Sequence, residues 1–332
     1  MSNTDSNRWL HRYAVLTAMI ALLPIGMGAL VTTLDAGMAF MDWPTSDGQN
    51  MFLYPWLRDF HANRDKFVEH GHRLAGSLIG MFSIGLVVLT LRREPRRWVR
   101  GLSIGILAAV VLQGLLGGFR VIADARVAAL VHGSFASLIF ATITVFALVT
   151  GSKWQRGGCV SHPTVPVSNG LKSLAIATPL VIFGQSLLGG LVRHLGLALH
   201  EHLAGAILAT VLTVAVIVAS WRSGHAWLRS ASIGLLVVLL VQLVLGAGAW
   251  VTRFGFPPSG YVAVQQAPEQ ILFRTAHAVA AMFVLMMSVQ LAVRVLRLNW
   301  LHRGAGFQPA KDQTAGAGRL KTCPTLAGGA LR

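Results

Sequence analysis

The chain has 332 residues, of which 54% are hydrophobic and only 12% charged, and its formal net charge is +16. Apolar blocks as long as these exceed what the core of a soluble domain uses and point to a polytopic membrane protein. The positive charge does not indicate nucleic acid, because most of the Lys and Arg fall in alternate loops, the distribution that orients a membrane protein.

Eight apolar blocks predict an all-α chain with eight transmembrane helices, over residues 13–33, 73–91, 101–119, 128–150, 173–192, 202–220, 230–250 and 272–293. At about 1.5 Å per residue each can cross a hydrocarbon layer of roughly 30 Å. The first block is long, contains glycine and is followed by Asp35 and Asp42 with no small-residue cleavage pattern, so it reads as a retained helix rather than a signal peptide. Placing the N-terminus inside puts Arg8, Arg12, the basic residues of 92–100, Lys153, Arg156, Lys172, Arg222, Arg229 and those from Arg294 onward on the cytoplasmic side. The outer segments then carry fewer basic residues, offset by acids from Asp35 to Glu269, and both termini are predicted cytoplasmic. Cys159 and Cys323 fall on that inner side too, where they supply neither an outer disulfide nor a metal cluster.

A Gly, Ser and Pro-rich stretch over residues 151–169 divides the helices four and four. The expected organisation is a first four-helix bundle over 1–150, a linker and second bundle over 151–298, and a disordered cytoplasmic tail over 299–332. The halves read as copies. His72-Arg73-Leu74-Ala75-Gly76 is echoed by His202-Leu203-Ala204-Gly205, and Gln113 with Gly117 by Gln242 with Gly246, each followed by one more histidine, His132 or His277. An even number of crossings makes both copies face the same way, which predicts two pseudo-symmetric bundles about an axis along the membrane normal. The loops are unequal: a long outer segment between the first two helices, residues 33–71, contains Asp42-Trp43-Pro44 and Trp56 where its counterpart is only 194–201, whereas in the other pair 121–127 is short and 252–271, with Pro257-Pro258-Ser259-Gly260, is longer. Glycines at close spacing fit ordinary helix packing or the approach of a flat ligand.

The histidines carry the chemistry. His72, His132, His202 and His277 all fall near the outer ends of even-numbered helices, His72 and His202 opening theirs. One intramembrane histidine is commonly a helix-contact residue, but four at matching places favour metal, since an unpaired imidazole is costly in hydrocarbon. Zinc usually takes three or four converging side chains, whereas an iron porphyrin supplies four ligands of its own and needs one imidazole on each side. The natural pairs are His72 with His132 and His202 with His277. Arg73, Arg120, Arg193, Arg253 and Arg274 stand at the same level, suited either to porphyrin propionates or to lipid headgroups. His194 is a further candidate for the propionate region. His70 and His200, two residues before a paired histidine, point to a different face. His11, His61, His162, His225 and His302 have no repeated partner and are assigned solvent-exposed roles. Glu69 breaks the symmetry: it precedes His72 by three residues, where the second half has Leu199. On a continuous helix it would approach the first site as a proton-moving carboxylate; the alternative is a loop-end acid paired with Arg73 or Lys66.

These pieces together, Gly28 to Thr32 with Asp42-Trp43-Pro44, Glu69-His-Gly-His-Arg73, Gln113 to Val121, His132, Gln185 to His194, His202, Gln242 with Leu245-Gly246, and Arg274 to His277, resemble the haem A synthase (Cox15/CtaA) family over roughly residues 10–298. The resemblance implies an oxidoreductase that converts a methyl group of haem O to the formyl group of haem A through hydroxylated intermediates, for biogenesis of haem-copper oxidase. It implies that His72 and His132 hold the substrate haem O with Glu69 catalytic, while His202 and His277 hold a haem b cofactor. It further implies residence in the bacterial cytoplasmic (inner) membrane, an electron acceptor not identified by sequence, and haem O synthase, oxidase assembly factors, membrane lipids or a second copy of the chain as partners. The chain lacks the paired outer-loop cysteines of some members. Rival readings are a di-haem transmembrane electron carrier resembling cytochrome b561, and a haem transporter or chaperone.

Overall fold

The computed structural model describes residues 3–155 and 166–305. Among these residues eight helices are long and apolar enough to cross a membrane: α1 (Asn3–Thr33), α2 (Arg64–Arg93), α3 (Arg97–Ile122), α4 (Arg126–Thr150), α5 (Asn169–Leu195), α6 (Leu199–Arg222), α7 (Ala226–Phe254) and α8 (Pro268–Ala305). The described residues contain no strand, only two isolated bridges in loops. All eight expected helices are present, and the protein is a multi-pass membrane protein. Cys159, Cys323, His162 and the tail beyond residue 305 lie outside the described residues.

Local chemistry sets the helix ends. The Asn63 side chain accepts the Lys66 N–H, so α2 begins at Arg64, well before the expected residue 73. His72 therefore lies in the third turn of α2 rather than opening it, and Glu69, His70 and His72 share one continuous helix. Ser168 caps α5 in the same way through the Leu171 N–H, and Gly196 closes α5 at φ 70°, a left-handed geometry that glycine adopts without strain. The last helix runs past the expected residue 293. Leu298 is fully buried, and Arg294 and Arg297 lay their guanidinium groups over Trp227 and Trp154, so residues assigned to a disordered tail continue α8 to Ala305. Three histidines assigned to solvent are also placed differently: His302 is half-buried on α8, and the other two lie in the bundle. His11 is half-buried with Nδ1 2.9 Å from the Ala147 carbonyl oxygen of α4, and His225 is half-buried at the start of α7 with Nε2 enclosed.

Packing closes α1 to α4 into a ring, α1 touching α2 and α4, and α3 touching α2 and α4; α5 to α8 close in the same order. Leu10, Leu86, Ile106, Ile143 and Phe146 are fully buried in the first set, and Leu228, Leu235, Leu285 and Leu298 in the second. The sets meet where α4 packs on α8 and α5, and α1 on α8, with Phe140 edge-on to Phe283 at 5.4 Å. Large side chains such as Val111, Leu115, Ile207, Val211 and Val244 face outward, as expected where the surrounding solvent is hydrocarbon.

The outer segment between α1 and α2 folds down onto the first ring. Phe40 is fully buried edge-on to Tyr54 at 5.2 Å, Trp56 stacks on Phe67 at 4.8 Å and donates to the Phe67 carbonyl at 2.7 Å, and Trp43 lies on the bare backbone of Gly118 in α3. The Tyr54 hydroxyl donates to Asp59 at 2.8 Å, and burial together with that carboxylate pushes its pKa up to about 12. Asp42 is held below the usual carboxylate range: burial pushes it up, but the Thr45 side chain and the Gly48 and Asp47 N–H groups outweigh it.

At the other end of α2, Glu94 is buried and accepts a bidentate pair of hydrogen bonds from Arg96 at 2.8 Å, while Arg96 also donates to the Val149 carbonyl of α4. Burial raises the Glu94 pKa, yet the Arg96 contacts prevail and hold it below the ordinary range. A depressed folded-state pKa contributes stability above the unfolded value, lost as pH falls through the folded one. Glu94→Gln is therefore expected to lower the thermal midpoint in detergent at pH 7, with the gap to wild type narrowing below about pH 4. A gap independent of pH would contradict this account.

Candidate functional site: two facing histidine pairs

All four repeated histidines lie in the N-terminal turns of α2, α4, α6 and α8, helices that run in the same direction, so they share one end of the molecule. The structure brings them together in twos, with ring centroids 6.1 Å apart for His72 and His132 and 6.4 Å apart for His202 and His277, the planes at 84° and 89°. Each imidazole rests on a glycine of the preceding helix. A Cβ added at Gly28, Gly117, Gly189 or Gly246 would stand 2.8 to 3.0 Å from Cε1 of His72, His132, His202 or His277 respectively. Any larger residue would push the ring away from its pair. The residue four before each glycine also touches the facing histidine. Gln113 and Gln185 donate to the backbone carbonyls of His132 and His202 at 2.9 and 2.8 Å, Gln242 lies 3.5 Å from the His277 ring, and in the first hairpin the Pro24 carbonyl takes this place, 2.9 Å from Nδ1 of His72.

The pairs fit one metal held from two sides. An imidazole nitrogen lies about 2 Å from a metal it ligates and roughly 1 Å from its own ring centre, so two imidazoles on opposite sides of a metal have centres about 6 Å apart. Among the described residues no group of three or more His, Cys, Asp or Glu converges on one point, so the pairs need a metal that brings its remaining ligands with it, as a porphyrin does. Buried, unpartnered ring nitrogens on His132 and His277 mark both pairs as electrostatically incomplete.

The surroundings of the pairs differ. Glu69 is buried, one turn outside His72; its Oε2 accepts the Phe40 N–H at 3.1 Å and its Oε1 accepts from Arg73 at 2.7 Å. Arg73 also donates to the carbonyls of Asp42 and Thr45 at 2.9 and 2.7 Å, so its fork clamps the outer segment. Glu69 thus lies on the continuous helix and also makes the Arg73 pair that was the alternative. His70 turns away from His72, as its spacing required: it is fully buried, with Nδ1 3.1 Å from Ser46 Oγ and its ring 4.8 Å from Tyr54. Among the described residues the second pair has no such carboxylate: Leu199 stands where Glu69 does, and His200 is exposed.

The arginines spread along the same level. Arg120 donates to the Gly37 carbonyl and Arg253 to the Gln265 side chain. Arg193 crosses between the rings, donating to Ala29 and to Thr33 Oγ1 of α1 and, at 3.3 Å, to the Arg274 carbonyl of α8. His194 also reaches across, its Nε2 3.9 Å from where a Cβ of Gly133 in α4 would sit. Sequence reasoning left out Pro24 and the anchors Phe40, Ser46 and Tyr54. The repeat of glycine and glutamine was visible, but not that both touch a histidine.

Fold and site define a polytopic helical membrane protein carrying two paired-imidazole centres at one end. Within that class the chain belongs to the COX15-CtaA family, cytochrome oxidase assembly protein, whose profile matches residues 11–202. His72, His132 and His202 lie inside the match and His277 beyond it. The chain is similar to a protein of Symbiobacterium thermophilum named Heme A synthase, with 31% identity over 195 residues, 56% of this chain and 60% of that one. Proteins of the same name from Paracoccus denitrificans and Ruegeria sp. are each 33% identical over 37% of this chain, covering 34% and 33% of their own lengths. The matches thus span less than two thirds of each relative.

Docking of the outer segment on α3 is open to direct test. Gly118→Leu is expected to lift Trp43 and speed proteolysis within residues 34–63. Gly114→Leu, one turn away where a Cβ would meet open space, should leave the cleavage rate at the wild-type value, and equal rates in the two variants would refute the contact.

Proposed function

We propose that the chain is an oxidoreductase that converts a methyl group of haem O to the formyl group of haem A, with haem O between His72 and His132 as substrate and a resident haem b between His202 and His277. The observation that carries this reading is an asymmetry: two pairs of nearly equal spacing, of which only the first lies in a ring capped by a folded segment with the buried carboxylate of Glu69 at its base. Similarity to proteins named Heme A synthase supports it. A carrier that only moved electrons across the membrane would place its pairs toward opposite faces, whereas these share one end.

An iron porphyrin supplies the redox capacity needed to oxidise an unactivated methyl group, which no side chain provides. The protein's share is to bind, orient, exclude water and handle protons. The paired imidazoles of His72 with His132 and of His202 with His277 would hold the porphyrins. The segment carrying Phe40, Trp43 and Trp56 covers the first ring and restricts water. Glu69, gripped by Arg73 and the Phe40 N–H, is positioned to take up and release a proton at its carboxylate oxygens. Arg73, Arg120, Arg193, Arg253, Arg274 and His194 lie at the level where the propionates of such rings require cations. Methyl to formyl removes electrons and adds one oxygen atom, so an electron acceptor and an oxygen donor are partners of the reaction, as is the enzyme that supplies haem O. The charge bias of the loops supports a bacterial cytoplasmic membrane with both termini inside.

Expression beside a source of haem O, in a host that makes no haem A, is expected to yield a formyl-bearing haem on extraction and chromatography; unmodified haem alone would favour a carrier. Glu69→Gln should keep the haem content of the wild type and lower conversion by ~10²-fold or more. Conversion at the wild-type rate in that variant would remove Glu69 from the chemistry.

A further inference from the structure

At the end of the molecule opposite the histidines, roughly 25 Å along α8 from His277, two arginines three residues apart share one face of the helix. Arg294 lies over the Trp227 ring at 5.5 Å, and Arg297 over Trp154 at 5.1 Å and Trp300 at 4.7 Å. Trp154 and Trp227 are buried and meet edge to face at 6.2 Å, whereas Trp300 is 63% exposed. Aromatic planes on these cations fix where the guanidinium forks point. The forks are largely unused. Arg294 donates from one terminal nitrogen to the Trp227 carbonyl at 3.1 Å and to Ser230 Oγ at 3.5 Å, and on both arginines Nε is buried without a partner among the described residues. No carboxylate among the described residues pairs with either, since Glu94, at the same end, is taken by Arg96. Lys172 of α5 adds a third cation, its Nζ 3.4 Å from Asn299 Oδ1 two residues beyond Arg297.

A partly buried guanidinium without an anion is costly, and its free N–H groups match the oxygens of a phosphate. We propose that this cluster binds the headgroup of one anionic phospholipid, with Arg294 and Arg297 donating to its phosphate oxygens. The lipid chains have a path as well. Ser230, beside Arg294, opens a face of α7 that continues through Ile233 and Val237, 48% and 54% exposed. A phosphate at the level of Ser230 therefore stands at the head of an apolar track running toward the middle of the membrane, a feature that serves an anion with hydrocarbon chains and not a free one. Trp300 supplies the amphipathic ring that membrane proteins place at headgroup level. Three cations without a counter-carboxylate favour a lipid of net negative charge and repel the ammonium of a zwitterionic one. Arginines that merely snorkel from a helix end keep their charged heads in water. These two are enclosed by indole rings, which makes a seat for one molecule rather than a general attraction to the surface.

The test uses the full-length protein in detergent, titrated with dioleoyl phosphatidylglycerol or dioleoyl phosphatidylcholine, with bound lipid counted by native mass spectrometry. Wild type is expected to hold phosphatidylglycerol with an affinity roughly 10-fold or more above that for phosphatidylcholine. The paired substitution Arg294→Gln with Arg297→Gln should abolish that preference. Ser230→Asp, which keeps both arginines and sets a carboxylate beside Arg294, should lower it too. Arg222→Gln with Arg229→Gln, an exposed pair at the same end, should leave it unchanged. Equal affinity of wild type for the two lipids, or an equal loss in the Arg222 and Arg229 pair, would overturn a defined site in favour of general surface charge. A preference kept in both the arginine and the Ser230 variants would overturn it as well. Displacement of phosphatidylglycerol by inorganic phosphate at equal concentration would replace the lipid with a free anion and overturn the proposal.

Discussion

The contact between a histidine ring and a side-chain-free stretch of the neighbouring helix is the constraint on which the structure turns. In hydrocarbon an imidazole has no water to satisfy it, so it must find partners within the bundle. Four glycines let four rings sit against four helix backbones, and that seating sets both centroid separations, 6.1 and 6.4 Å. A methyl group at any of these glycines would displace a ring by a few tenths of an ångström or more, comparable to the tolerance of a coordinate bond. The close approach of α1 to α2, α3 to α4, α5 to α6 and α7 to α8 therefore serves packing and site geometry at once.

A repeated scaffold with unequal loops separates what is shared from what is particular. Both rings of helices close in the same order and present a histidine pair at the same end. The cap on the first ring is tied to the site through a short chain of contacts: the Phe40 N–H to Glu69, Glu69 to Arg73, and Arg73 to the carbonyls of Asp42 and Thr45. Burial of His70 among Phe40, Tyr54 and Ser46 adds a second attachment one residue from Glu69. A carboxylate so deep in the protein is tolerated because it is paired and hydrogen-bonded.

Much of this was legible in the sequence because hydrophobic blocks of membrane length and the spacing of the histidines are one-dimensional signals. All eight helices and both histidine pairs could be read that way. The start of α2 could not, since a polar first turn from Arg64 looks like loop until the Asn63 cap is seen. Nor could the continuation of α8, where Arg294 and Arg297 are accommodated by tryptophans from distant parts of the chain. His11 and His225 look like terminal and loop residues by position, yet packing half-buries both. Phe40, which bonds Glu69, and Ser46, which bonds His70, stand 29 and 24 positions away on a segment whose sequence shows no periodicity to place it.

The joint between the two rings has a consequence for how the centres relate. α4 and α8 pack on each other and each carries the second histidine of its pair, His132 or His277. Arg193 reaches from α5 to Ala29 and Thr33 of α1 and to the Arg274 backbone of α8, and Thr33 also meets Thr275 of α8 at 3.0 Å. Polar bonds of this kind, enclosed near the histidine end, resist sliding of one ring past the other, because breaking them would leave a buried guanidinium without acceptors. The two centres are thus held at a fixed separation through the same helices that supply their second imidazoles.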